Sequence, residues 1–327
     1  MTGLAAMLSN LAQLRRQYAV GASDSSETPG LVEITGFGSN PGALRMLTHV
    51  PDGLPAGAAL IVVLHGCSQT AAAYDHGAGW SQLADRHGFA VLLPEQGRGN
   101  NANLCFNWFH PGDTARGEGE ALSIREMIGH MAAAHVIDPA RVFITGLSAG
   151  GAMAAALLAA YPETFAGGAI IAGLPVGAAS SAQGALEAMF QGRSHTAAEW
   201  GDKVRAASQH PGPWPFVQIW QGDADHTVRP SNAGELMRQW ADVQGLPATP
   251  TWTDVVDGAA HQAWRGRDGG VALEAFMVPG LAHGVPLGTG SADPDYASGA
   301  AGPYMLEGGI SSTWHIARAF GVLRGTA

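Results

Sequence analysis

Short, continuous apolar runs recur along the chain at residues 58–64, 89–93, 141–145, 167–174 and 216–220. Runs without polar alternation belong to strands buried on both faces, as in a parallel sheet covered by helices. Between and after them lie stretches of helical character at 80–87, 119–135, 152–160 and 310–323, with another capped by Ser231-Asn232 and running to about Val243. Residues 43–50 alternate as an early, partly exposed strand, and 251–256 and 273–278 read as late strands. The strand–helix alternation predicts an α/β protein with a doubly wound, mostly parallel sheet. Residues 175–215 depart from it: small residues with helical turns around 185–190 and 197–207, read as a small cap or lid insertion over the carboxyl edge of the sheet. No repeat or long linker divides residues 31–327, so they are expected to form one catalytic domain. Ahead of it, residues 1–20 read as an amphipathic helix docking on the body and 23–30 as a linker.

Composition narrows the class. A hydrophobic fraction of 46% with 13% charged residues supplies ample core material. The net charge of −10 disfavours nucleic acid and anionic membrane surfaces as partners, since both repel an acidic chain. Arg15 and Arg16 follow the apolar patches of the N-terminus, where a secretory signal places its positive charge first, so residues 1–20 do not read as a signal. The two cysteines, Cys67 and Cys105, suit two buried thiols or one disulfide, and they lack the spacing of a zinc site.

The candidate chemistry centres on Gly146-Leu147-Ser148-Ala149-Gly150, placed between the 141–145 strand and the 152–160 helix. A G-x-S-x-G in that context is a nucleophile elbow, a turn so tight that the residues flanking the serine must be small. A serine hydroxyl is a poor nucleophile without a base, and the base needs an orienting acid. In this fold the partners follow in the order serine, acid, histidine, on loops after strands. Asp225, after the 216–220 strand, and His283, after the 273–278 strand, fit that order. Asp223 is the rival acid, read as facing solvent or capping the loop, and His261 is the rival base among the 13 histidines. The oxyanion hole requires two backbone N–H groups, one from the residue after the nucleophile, Ala149, and one from the His65-Gly66-Cys67 loop, where Cys67 is the candidate. Trp108 reads equally as a wall of the substrate pocket or a core residue, and His65 as a neighbour of that pocket or a group bonding the nearby backbone. No metal or other cofactor is expected, because no pair of histidines has helical ligand spacing with a carboxylate.

Several of these segments together resemble the poly(3-hydroxybutyrate) depolymerase family of esterases, within the α/β-hydrolase superfamily. The resemblance rests on 64–70, Cys105-Phe106-Asn107-Trp108-Phe109, Arg116-Gly117-Glu118-Gly119-Glu120, 146–151, 222–228, 280–286 and 309–318, which span roughly residues 35–325 in the family's order. It implies an α/β-hydrolase fold and Ser148, Asp225 and His283 as a catalytic triad. It also implies a serine ester hydrolase acting on hydroxyalkanoate polyesters or oligomers, or on small soluble esters, with feruloyl and acetyl-xylan esters as the alternative. Both cysteines fall in family motifs beside the expected active site, and a Cys67–Cys105 disulfide clamping the oxyanion loop is the expectation drawn from this. Polymer-degrading members often append a linker and a polymer-binding domain. The chain shows neither, which favours a small ester or oligoester over solid polymer. A serine peptidase of the same superfamily lacks support, and the rival of another class is an inactive hydrolase fold used as a binding module, against which the intact serine, acid and histidine argue.

Overall fold

The computed structural model describes residues 30–324, so the expected N-terminal helix lies outside the described residues. The strands are β1 (Val32–Ile34), β2 (Arg45–His49), β3 (Ala58–Leu64), β4 (Ala90–Glu95), β5 (Ile137–Leu147), β6 (Gly167–Ile171), β7 (Phe216–Gly222), β8 (Trp252–Val256), β9 (Ala259–Arg265), β10 (Val271–Val278), β11 (Val285–Leu287) and β12 (Met305–Glu307). The helices are α1 (Ala71–Ala78), α2 (Trp80–His87), α3 (Pro111–Thr114), α4 (Gly119–His135), α5 (Ala149–Ala160), α6 (Ala182–Gln191), α7 (Ala197–Ala207), α8 (Ser231–Val243) and α9 (Ser312–Ala319).

A 10-stranded sheet runs in the order β1-β2-β4-β3-β5-β6-β7-β10-β9-β8. From β4 to β10 every neighbouring pair is parallel, and an antiparallel pair extends each end. Successive side chains of a strand point to opposite faces, and β3 shows both faces filled. Leu60, Val62 and Leu64 enter one core with α4, α5, α7 and α8. Ala59, Ile61 and Val63 enter the other with α1, α2 and α9. The apolar runs of the sequence are therefore the doubly covered parallel strands, and they bring the carboxyl ends of β3, β5, β7 and β10 to one edge.

Residues 175–215 divide between two locations instead of lying wholly over that edge. α6 is tied to the loop after β7, with the Arg229 N–H donating to Met189 O and Asn232 Nδ2 to Ala188 O. α7 packs into the helical layer beside α5 and α8, where Trp200 is fully buried and donates from Nε1 to Glu235 Oε2 at 2.5 Å. Among the described residues, no helix is long and apolar enough to cross a membrane.

Candidate active site

Ser148 sits between β5 and α5 with φ 57° and ψ −116°. Positive φ is costly for a residue with a Cβ and is tolerated where the surroundings over-determine it. The Ser148 N–H donates to Ile171 O at 2.8 Å, anchoring the turn to β6. The flanking glycines are required by close approach. A side-chain carbon at Gly146 would collide with the Gly150 backbone, and one at Gly150 with the Leu64 and His65 carbonyl oxygens. That second contact seats the start of α5 against the end of β3, beside the His65-Gly66-Cys67 loop.

The loops after β7 and β10 are stitched to each other. The Asp223 N–H donates to Val278 O and the Ala224 N–H to Leu281 O, each at 3.1 Å, while the Gly280 N–H donates to Asp223 Oδ1 at 2.6 Å. This brings Asp225 and His283 together: His283 Nδ1 donates to Asp225 Oδ2 at 2.7 Å. Asp225 Oδ2 also accepts Gln221 Nε2 at 3.0 Å, and Oδ1 accepts the Thr227 and Val228 N–H groups at 2.8 and 2.9 Å. Burial alone would raise the Asp225 pKa, but the His283 charge and these hydrogen bonds outweigh it and hold the carboxyl below its ordinary value. With Nδ1 engaged, Nε2 is the His283 nitrogen left to serve a hydroxyl. Tyr304, with φ 63°, stands edge-on to the His283 ring at 6.2 Å between centroids.

The rivals separate cleanly. Asp223 is exposed and clamps the His283 loop through Gly280. His261 pairs with Asp254 at 2.6 Å, but on β9, with β6, β7 and β10 lying between it and the strand that leads to Ser148.

On the oxyanion side, Cys67 and Cys105 form a disulfide. The Ser68 and Gln69 N–H groups are committed to Asn103 O and Gly66 O, whereas the Cys67 N–H has no acceptor among the described residues. Ala149 opens α5, where helix geometry leaves the N–H without an intrahelical acceptor.

Of the two pocket expectations, the one for His65 needs correction. His65 is 1% exposed. The Gln96 N–H donates to its Nε2, so Nδ1 carries the proton and donates to Gly66 O. Burial pushes its pKa down, and the neutral ring holds the loop from below instead of facing a ligand. Trp108, 8% exposed, packs edge-on against Phe109 and belongs to the core shared with α4 and α5.

Fold and site together define an α/β hydrolase with a serine elbow. The chain belongs to the PHB depolymerase family of esterases, whose model matches residues 48–253, and these are carboxylic-ester hydrolases. It is 44% identical over 303 residues to poly(3-hydroxyalkanoate) depolymerase C of Paucimonas lemoignei, covering 92% of this chain and 72% of that one. Feruloyl esterase B of Thermothelomyces thermophilus is 34% identical, covering 77% of this chain and 88% of its own. Among solved structures, the acetyl xylan esterase from Aspergillus awamori superposes with a TM-score of 0.71 at 26% identity, covering 77% of this chain and 93% of that one.

Proposed function

We propose that the protein hydrolyses carboxylic esters through an acyl-enzyme on Ser148, and that its substrates are 3-hydroxyalkanoate polyesters or oligoesters. The observation that carries the reading is the Asp225–His283 hydrogen bond on the sheet edge that also bears the Ser148 elbow. His283 Nε2 takes the Ser148 proton as Oγ bonds to the ester carbonyl carbon. The tetrahedral oxyanion accepts from the Cys67 and Ala149 N–H groups. As the carbonyl re-forms, the bond to the alcohol oxygen breaks and His283 returns the proton to that oxygen. Water then attacks the acyl-enzyme by the same steps, releasing the acid and restoring Ser148. Asp225 orients the ring and stabilises its charged form throughout.

The hydroxyalkanoate choice rests on the 44% identity to a poly(3-hydroxyalkanoate) depolymerase. Feruloyl and acetylated-sugar esters are the second reading, favoured by the feruloyl esterase B relative and the acetyl xylan esterase superposition. Turnover of hydroxybutyrate oligomers, feruloyl esters and acetylated sugars by one enzyme preparation decides between them. The highest kcat/KM on the oligomers is expected, and preference for either other class contradicts the substrate assignment.

A further inference from the structure

We propose that Glu120 is a positioning residue for the oxyanion hole, holding the Cys67 N–H in place through the 96–107 segment. The proposal rests on the reading of Ser148 as nucleophile and Cys67 as an oxyanion donor.

Glu120 is fully buried at the start of α4 and has no ion-pair partner among the described residues. Hydrogen-bond donors converge on it instead. Oε1 accepts Gln96 Nε2 at 2.6 Å, Asn107 Nδ2 at 2.8 Å and Asn100 Nδ2 at 3.1 Å, and Oε2 accepts the Asn107 N–H at 2.9 Å. Burial pushes the carboxyl up to about 8, against the pull of the Asn107, Gln96 and Asn100 donors. A buried carboxyl is costly unless such donors satisfy it, so the arrangement specifies the conformation of the segments that supply them. Those segments come from the end of β4, the turn that follows and the Cys105–Phe109 motif. Between β4 and α3 the chain has neither helix nor strand to set its course.

From this hub, ties run to the oxyanion loop. Gln96 donates from Nε2 to Cys105 O and from its backbone N–H to His65 Nε2, and His65 Nδ1 donates to Gly66 O. The Ser68 N–H donates to Asn103 O at 2.8 Å. Cys67 is bonded to Cys105 with Cα atoms 4.2 Å apart. The residues on both sides of Cys67, and its own sulfur, are thus held by the segment that Glu120 organises. A displacement of that segment moves the Cys67 N–H relative to the oxyanion while leaving Ser148, His283 and Asp225 on their own elements. An amide cannot accept at both oxygen positions, so Glu120→Gln keeps the volume but turns an N–H group toward N–H donors.

The test compares wild type, Glu120→Gln and Asn107→Ser, the last removing one donor to the hub. Active sites are counted with a fluorophosphonate, and kcat and KM for p-nitrophenyl butyrate are then expressed per active site. Affinity for phenylboronic acid, whose tetrahedral adduct places an oxygen in the oxyanion hole, is measured alongside. For Glu120→Gln the expected result is an intact disulfide by mass, KM within about twofold and per-site kcat lower by about 10- to 100-fold, since complete loss of a donor costs about 100- to 1,000-fold. Boronate affinity should fall in parallel, and Asn107→Ser should show the same pattern more weakly. Fewer active sites with unchanged per-site kcat and boronate affinity, in Glu120→Gln or in Asn107→Ser where Glu120→Gln does not fold, would overturn the proposal by showing that the hub serves stability alone. Ser148→Ala is assayed in parallel: turnover retained there would reject the nucleophile assignment, a failure distinct from that of Glu120.

Discussion

His283 Nδ1 donates to Asp225 Oδ2 at 2.7 Å, and the second oxygen of that carboxylate is filled by the Thr227 and Val228 N–H groups. The acid is thereby fixed by its own loop before it orients the histidine. Asp223, two residues earlier, uses its carboxylate to fasten the histidine's loop from the other side. The two acids should respond very differently to substitution. Asp225→Asn should lower kcat by about 10⁴-fold, because the wrong imidazole tautomer is then favoured. Asp223→Asn, which keeps an acceptor for Gly280, should change kcat less than about tenfold. Steady-state ester hydrolysis by both variants checks this, and equal losses would contradict the assignment of roles.

Asp225 also links stability to pH. Its folded pKa lies below the ordinary value of 3.8, so between the two values the unfolded chain binds more protons and stability rises with pH. The contribution is complete above the unfolded value and is lost as pH falls through the folded one. Urea midpoints of wild type and Asp225→Asn should therefore differ most above about pH 5 and draw together as pH falls through the folded value. A gap that widens toward acid would reverse the sign.

The Cys67–Cys105 bridge closes a loop spanning 38 residues. Chain entropy assigns such a closure about 4 kcal/mol. Cys105→Ser should lower the thermal midpoint and also reduce ester turnover, because the bridge borders the Cys67 N–H. A midpoint shift without any loss of kcat would show that the bridge acts on stability only.

Trp108 belongs to the core, so Trp108→Ala should destabilise by about 3–5 kcal/mol. Its substrate ranking across oligomers, feruloyl and acetyl esters should stay as in wild type. A reordered ranking in a folded variant would return Trp108 to the pocket wall.

The parallel centre of the sheet was legible because strands buried on both faces are written as unbroken apolar runs, as in β3. The elbow was legible because close approach admits only small residues around Ser148. The apolar pattern does not single out helix α1, whose Gly77 makes room for the Met305 side chain. The available signal was Thr70, whose Oγ1 accepts the Ala73 N–H as an N-cap. Strand β9 was hidden by its mixed Ala, His, Gln and Trp sequence, and antiparallel neighbours on both sides hold it in the sheet. The roles of His65, Trp108 and Glu120 depend on contacts between segments far apart in sequence. Residue type alone left His65 and Trp108 open between pocket and support, and Glu120 without a role.

Mass spectrometry of the protein treated with a fluorophosphonate, alongside turnover of p-nitrophenyl butyrate, tests the central claim most directly. A single adduct on the peptide containing Ser148, with both adduct and turnover absent in Ser148→Ala, is the predicted result. Turnover retained by Ser148→Ala, or an adduct on another residue, would contradict it.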